Sequence, residues 1–140
     1  RALPIEEIAA SLARVLGNGG AGLAARLPVL RPAVIGQLTE AASRQNGLIG
    51  AAVFVPGVDM PMLTLNQVRL VLRIAIASGR EVDSSLWPEV LAVVGAGFGW
   101  RRVATELLDF VPVAGWAVKG GIAFAGTRAI GEAARRRFAS

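Results

Sequence analysis

The side chains of this chain that could take part in chemistry are few. The sequence contains no cysteine, no histidine and no tyrosine. Nucleophilic sites of the Ser-His-Asp or Cys-His type and imidazole or thiolate metal sites are therefore excluded. Acid–base chemistry is left to ten carboxylates and to one lysine, Lys119. We expect a protein that is not an enzyme and that holds no metal and no cofactor.

The glycines of the sequence favour helix packing over nucleotide binding. Residues 90–99 resemble a dinucleotide-binding turn in outline, but Trp100 stands where the third glycine is required, and no G-x-x-x-x-G-K-[ST] loop exists. Small residues about one turn apart let two helices approach closely. Two such series occur, at Ala92, Gly95, Ala96 and Gly99 and at Ala117, Gly121, Ala125 and Ala129. These faces predict helix–helix contacts and offer a route to an oligomer.

The composition indicates an apolar chain with a basic surface. Hydrophobic residues make up 54% of the sequence, the mean hydropathy is +0.54 and the net charge is +5. Such a balance fits an anionic membrane surface or an acidic protein face. Nucleic acid is not expected, because the aromatic residues are few and do not alternate with basic ones. The longest charge-free stretch, residues 45–58, has 14 residues, fewer than the roughly 20 that cross a bilayer.

Helix signals occur along the whole chain, and no segment alternates strictly between apolar and polar residues. Pro4 followed by Glu6 and Glu7 is typical of a helix start. The apolar face of this first helix consists of Ile5, Ile8, Leu12, Val15 and Leu16. We divide the chain into an N-terminal helix at residues 1–16, a flexible glycine-rich linker at 17–22 and a helical bundle domain at 23–140.

Prolines and glycines delimit the other helices. The pattern predicts a long helix over 32–55 and a second over 65–78 with Thr64 as its N-cap and Gly79 as its stop. A third begins after a cap that Asp83, Ser84 and Ser85 offer, and it reaches about residue 110. A last helix covers about 113–138. The predicted fold is all-α, a bundle of about five helices with four of them forming the core.

Several polar residues within apolar helices are candidates for a binding site. Asn66, Arg69 and Arg73 form one narrow stripe on a helix that is otherwise apolar. The two arginines either pair with carboxylates of neighbouring helices or bind an anion or a lipid headgroup. The candidate carboxylates are Glu40, Glu106 and Asp109.

Two isolated charges are further candidates for binding. Asp59, in a stiff loop between two prolines, either caps the following helix or belongs to a contact surface. Lys119 stands alone on an apolar helix, where a lysine that reaches the surface is more common than a catalytic amine.

The chain ends in a basic cluster, Arg135, Arg136 and Arg137, followed by Phe138. Cations at a helix C-terminus offset the negative end of the helix dipole, which is a purely structural role. The same cluster, with apolar residues on the opposite face, can also lie on an anionic membrane. Both interpretations stay open at this point.

Two segments resemble an uncharacterised YcjF-type domain, which is found C-terminal to Era-like GTPase domains in bacteria. The first segment covers residues 55–64 and contains the element Pro56-Gly57-Val58-Asp59-Met60-Pro61, preceded by 27–31 and followed by 71–79. The second is the C-terminal series that includes Pro112, Gly115, Lys119, Thr127, Arg128 and Glu132. The resemblance covers about 23–138, and it implies a helical, membrane-associated module that works beside a GTPase. The chain begins at Arg1 and contains no GTPase part, so it is either an excised domain or a standalone relative.

From these features we expect a non-catalytic helical interaction module, cytoplasmic and peripheral at the inner membrane, that couples a GTPase or another partner to lipid. Its binding candidates are Asp59, Asn66, Arg69, Arg73 and Lys119, with Arg135, Arg136 and Arg137 as the anion patch. Two alternatives remain. One is a bundle that binds a lipid or an apolar small molecule between its helices, and the other is an integral or re-entrant oligomeric membrane protein.

Overall fold

The described part of the chain is built of helices. A computed structural model of the chain describes residues 3–52, 60–96 and 115–139, and every regular element in these ranges is helical. The helices are α1 (Ile5–Leu16), α2 (Gly20–Arg26), α3 (Arg31–Ala52), α4 (Met60–Ala77), α5 (described over 86–96) and α6 (Gly115–Phe138), with 3-10 turns at Gly17–Gly19 and Pro28–Leu30. The predicted all-α fold is confirmed.

The core lies between α3, α4, α5 and α6. α4 is central, with Leu70, Val71 and Ile74 at most 1% exposed, as predicted from its nearly continuous apolar character. α3 and α6 run antiparallel on one side of it, and α5 contributes Leu86 and Val90. Each such side chain contributes on the order of 1.5–3 kcal/mol by leaving water. Four helices thus supply most of the core.

The glycine-rich segment 17–22 differs from the flexible linker that its composition predicts. Gly17–Gly19 forms a turn of 3-10 helix, and α2 begins directly at Gly20. Gly20 is buried, and a Cβ atom placed on it would lie 3.4 Å from Cγ2 of Val34 in α3. The small residues here allow α2 to pack closely, so they form part of the bundle.

The ends of α4 agree only partly with the sequence pattern. The helix begins at Met60, so Thr64 lies inside it and is not the N-cap that was predicted. The C-terminus falls at the predicted place, because Gly79 has φ +88° and the N–H of Arg80 donates to the carbonyl of Ala75 at 3.0 Å. This is the left-handed glycine cap that ends many helices.

The start of α5 follows Asp83, the first of the three residues that the sequence offers as a cap. Its carboxylate accepts a hydrogen bond from the backbone N–H of Ser85 at 2.9 Å and another from the Ser85 hydroxyl. The backbone N–H of Leu86 donates to the Asp83 carbonyl at 3.2 Å. The hydrogen bonds from Ser85, the one from its hydroxyl first, lower the pKa of Asp83.

Candidate functional site

The polar residues singled out on α4 lie in different environments. Asn66 is buried, Arg73 is half-buried and Arg69 is exposed. Lys119 falls in the first turns of α6, and Asp59 lies outside the described residues. The three described side chains therefore do not share one environment.

Glu40, one of the three candidate carboxylates, pairs with other arginines than those of α4 among the described residues. Glu40 instead accepts a hydrogen bond from Nε of Arg44 at 2.9 Å, and Nη1 of Arg128 lies 3.7 Å from its other oxygen. Arg69 faces solvent, so its charge needs no buried counter-ion. The other two proposed carboxylates, Glu106 and Asp109, lie outside the described residues.

Asn66 belongs to a buried polar cluster where α3, α4 and α6 meet. Its Nδ2 donates to Oδ1 of Asn46 at 2.9 Å, and Nδ2 of Asn46 donates to Oγ1 of Thr127 at 2.8 Å. Nε2 of Gln67 donates to the same threonine oxygen at 3.2 Å. Neighbouring Ser43 is fully buried, and its hydroxyl has no partner among the described residues. The cluster is closed to solvent and links three helices, so its role is structural.

Glycines bring α3 and α6 into close contact, but on a different face from the one predicted. A Cβ on Gly120 would lie 2.8 Å from the carbonyl oxygen of Gly47, and one on Gly131 would lie 2.5 Å from Cγ2 of Thr39. The residues that were expected to make such contacts are exposed wherever the structure describes their side chains: Ala92, Gly95 and Ala96 on α5, and Gly121, Ala125 and Ala129 on α6. Small residues occur on several faces of these helices, and their spacing alone does not tell which face packs.

Outside this contact, α3 and α6 leave a groove that we call the α3–α6 groove. One end is polar, with a volume of about 430 Å³, and the other is a more open apolar end of about 520 Å³. The polar end is lined by Pro32, Ile35, Gly36, Thr39, Glu40, Arg128, Gly131, Glu132, Arg135 and Arg136. The apolar end is lined by Arg44, Gly47, Leu48, Ala51, Gly120, Gly121 and Phe124. The lining residues recur every three or four positions on each helix, so both ends lie on one side of the helix pair.

Arginines outnumber carboxylates along this groove. Glu40 is shared by Arg44 and Arg128, and Glu132 by Arg135 and Arg136, which leaves four cations for two anions. The hydrogen bond from Arg135, and then that from Arg136, lowers the pKa of Glu132 to about 2. All four arginines are solvent-exposed, with side-chain exposures between 45% and 74%. Among the described residues that line the groove, arginines therefore exceed carboxylates by two.

The third arginine of the C-terminal cluster has a different environment. Arg137 donates to Oε1 of Glu89 at 2.6 Å, and Arg80 donates to the other oxygen of the same carboxylate at 2.6 Å. The hydrogen bond from Arg80 is the main cause that lowers the pKa of Glu89. Arg80 also lies over the ring of Phe138, 5.5 Å from its centre. Arg137 thus joins the end of α6 to α5, whereas Arg135 and Arg136 line the groove.

A second exposed feature is the apolar row of α1. Ile5, Ile8, Leu12 and Val15 are 52%, 47%, 40% and 84% exposed, whereas the buried residues of this helix are Ala9 and Ala13. Of the apolar face that the sequence assigns to α1, Leu16 is half-buried and the other four side chains are exposed, while Ala9 and Ala13 make the contact with the core. Among the described residues these four apolar side chains remain exposed.

Neither surface resembles a metal centre. Within the described ranges no three acidic, histidine or cysteine side chains are grouped so that they could hold a metal ion. In the same part of the chain no helix has the length and apolar character required to cross a membrane.

Comparison with protein-family models, with curated proteins and with solved structures finds no match to this chain. Function has to be inferred from the chain's own surfaces.

The α3–α6 groove was not predicted from the sequence, since its two walls become neighbours only when α3 and α6 pair. A partial signal was available in residues 36, 40, 44, 47, 48 and 51, which recur at helical spacing along one side of α3.

Proposed function

We propose that this chain is a non-catalytic helical module that attaches to the anionic surface of a membrane through the α3–α6 groove. The observation that carries the proposal is the combination of a net positive rim and an apolar floor on one face of one helix pair. Arg128 and Arg136 lie at one end of this face, and Leu48, which is 72% exposed, lies at the other. A membrane surface offers the matching chemistry, with anionic headgroups above acyl chains.

The expected attachment is weak and depends on salt. A basic residue near an anionic leaflet contributes about 1 kcal/mol, and this attraction decays within a Debye length. An excess of two arginines over carboxylates among the described groove residues would supply about 2 kcal/mol, or roughly a 30-fold preference for anionic over neutral lipid. The exposed apolar side chains add a contribution that salt does not remove.

The carboxylates of the described residues support a non-catalytic role. Glu40, Glu89 and Glu132 each accept hydrogen bonds from arginine side chains. An arginine keeps its proton at all ordinary pH values, so it supplies a constant positive charge and does not transfer protons. The hydrogen bonds from arginine hold the pKa of Glu89 and of Glu132 below the ordinary value, so these two carboxylates are poorly suited to donate a proton near neutral pH.

The partner that the module would bring to the membrane follows from the sequence resemblance. YcjF-type domains stand beside GTPase domains, so a GTPase is the first partner to test. In this proposal the groove faces lipid, and other surfaces of the bundle remain available for the partner.

Liposome flotation tests the lipid part of the proposal. The protein is mixed with vesicles of neutral phosphatidylcholine, or of the same lipid with anionic phosphatidylglycerol, at low and at high salt. We expect flotation with anionic vesicles at low salt and most of it to be lost at high salt. Absence of flotation under every condition contradicts the proposal.

Matched variants locate the surface that binds. Replacing both Arg128 and Arg136 with glutamine keeps side-chain length but removes two charges from the groove, and we expect it to abolish the anionic preference. The control is Arg69→Gln, which removes an exposed charge from α4 outside the groove, and it should float like the unmodified protein. A control that loses as much binding as the groove variant would show that only net charge matters.

A second candidate function is favoured by the apolar end of the groove. Its volume of about 520 Å³ is within the usual size of small-molecule sites, so it could hold one acyl chain or another apolar molecule. Extraction of the purified protein followed by mass spectrometry would detect such a ligand. Gly121→Leu fills this end at a position where an added Cβ meets nothing within 4 Å, and it should reduce the extracted amount.

A further inference from the structure

The two ends of the α3–α6 groove meet at one carboxylate, that of Glu40. Arg44 approaches it along α3, with Nε 2.9 Å from Oε1, and Arg128 approaches it from α6, with Nη1 3.7 Å from Oε2. Glu40 and Arg128 line the polar end of the groove, whereas Arg44 lines the apolar end. An arginine from each wall therefore lies where the polar and apolar ends join.

Both arginines at this junction retain the capacity to bind an anion. Each guanidinium group carries five N–H donors. Arg44 donates to Glu40 through Nε, and the 3.7 Å between Arg128 and Glu40 is longer than a hydrogen bond. Among these three groups the positive charges exceed the negative by one. An oxyanion can therefore bind at the junction while Glu40 stays in place.

The apolar end of the groove begins directly beside the junction. From Arg44 to Ala51 its α3 wall is about 10 Å long. On the α6 wall Gly121 leaves the space open, since an added Cβ there meets nothing within 4 Å. Among the described residues that line this end, Arg44 alone is charged. Such an elongated apolar recess, with cations at one end, suits a hydrocarbon chain that carries an anionic head.

We propose that the α3–α6 groove holds one anionic amphiphile, with its head group between Arg44 and Arg128 and one acyl chain in the apolar end. The head is a carboxylate or a phosphate, because guanidinium groups bind both through paired hydrogen bonds. The polar end, of about 430 Å³, has room for a substituent on a phosphate head. This inference rests on the proposed function for its surface, and it adds that the groove takes up a single lipid molecule.

Isothermal titration calorimetry of the full chain with hexyl, octyl and decyl phosphate tests the proposal. Each ligand is used below its micellar concentration and without vesicles. We expect one ligand per chain, and an affinity that rises along the series by up to about fourfold for each CH₂ that leaves water. Inorganic phosphate lacks the chain and decyl maltoside lacks the charge, so both should bind more weakly than decyl phosphate. An affinity that does not depend on chain length overturns the proposal.

Matched variants test the two halves of the site separately. Arg128→Gln removes a charge at the junction and should weaken decyl phosphate binding at least about tenfold, whereas Arg69→Gln, on α4 outside the groove, should not. Gly121→Leu fills the apolar end and should weaken binding to a similar extent. Its control is Gly95→Leu on α5, because Gly95 is also an exposed helical glycine where an added Cβ meets nothing within 4 Å. Equal losses in a variant and its control overturn the proposal.

Failure of this inference can be told apart from failure of the proposed function. If the protein floats with anionic vesicles but does not bind decyl phosphate in solution, the groove only adsorbs to charged surfaces, and the single-molecule site is overturned. If decyl phosphate binds but the protein never floats, the site stands and the membrane attachment fails.

Native mass spectrometry distinguishes the two sources of such a ligand. After incubation with decanoate, or with phosphatidylglycerol vesicles, the mass of the adduct identifies a free amphiphile or a lipid taken from a bilayer. Either adduct, reduced in Gly121→Leu, supports the proposal. Absence of both overturns it.

Discussion

Gly120 and Gly121 are neighbours on α6, and the structure predicts opposite effects for the same substitution at each. Gly120 is buried against α3, and a Cβ placed on it would lie 2.8 Å from the carbonyl oxygen of Gly47 and 3.0 Å from Cβ of Ala51. Gly121 is exposed, and a Cβ there would meet nothing within 4 Å. Gly120→Ala and Gly121→Ala are therefore a matched pair that differs only in the face of the helix.

The expected free energies of unfolding follow from two opposing contributions. Replacing glycine by alanine inside a helix stabilises it by about 1 kcal/mol, and both variants gain this. At Gly120 the added methyl group meets a backbone oxygen, which cannot move away by changing rotamer. Ordinary contacts at such a Cβ begin at 3.4 Å, so α3 and α6 must separate by roughly half an ångström. Overpacking of this kind costs about 1–3 kcal/mol.

We therefore expect Gly121→Ala to be about 1 kcal/mol more stable than the unmodified protein, and Gly120→Ala to be about 1–3 kcal/mol less stable than Gly121→Ala. Urea denaturation followed by far-ultraviolet circular dichroism measures both, with the shared slope as a check that unfolding stays two-state. Thermal midpoints should differ by roughly 3–4 °C per kcal/mol for a chain of this size. If the two variants are equally stable, the close approach of α3 and α6 at Gly47 is refuted.

Three further predictions concern single contacts. Asn46→Leu should lower the free energy of unfolding by about 2–4 kcal/mol, because it leaves buried donors and acceptors unpaired, and urea denaturation that shows no change would contradict this role. Gly79→Ala should cost about 1–2 kcal/mol by thermal denaturation, since its φ is +88° and an added Cβ would lie 2.9 Å from Nη2 of Arg31. The pKa of Glu132 is lowered from 4.5 to about 2 in the folded chain, so its stabilising effect is present above pH 4.5 and is lost as the pH falls toward 2. A carboxyl NMR titration should show this low midpoint, Arg135→Gln should raise it, and a midpoint near 4.5 in the unmodified protein would exclude the ion pair.

The fold could be predicted from the sequence because its signals are local. The absence of strict alternation excluded a sheet, and Gly79 marked the end of α4 through a conformation that glycine adopts readily. Asp83 likewise marked the start of α5 through hydrogen bonds within three residues of itself. Each of these signals acts within one turn of backbone, so no knowledge of the tertiary structure was required.

The packing faces could not be predicted, since they depend on contacts between distant segments. Small residues occur around most of α6, and only the position of α3 selects Gly120 over Gly121. On α1 the large apolar residues were the obvious core candidates, yet Ala9 and Ala13 make the contact because they allow α1 to approach the bundle closely. Small residues also allow close packing at 17–22, so this glycine-rich segment, which was predicted to be a linker, forms packed helix instead.

The buried polar cluster gives this very apolar bundle its register, and the groove depends on that register. Contacts between small apolar residues are similar at every turn, so they do not by themselves fix how far α3 and α6 slide along each other. The hydrogen bond from Asn46 to Thr127 does, because a shift of one turn, about 5.4 Å, would break it and cost each of the two buried groups a hydrogen-bond partner. The same shift would carry Arg128 away from Glu40 and would move the net positive rim relative to the apolar end. The polar cluster inside the core thus determines the shape of the surface that we propose faces lipid.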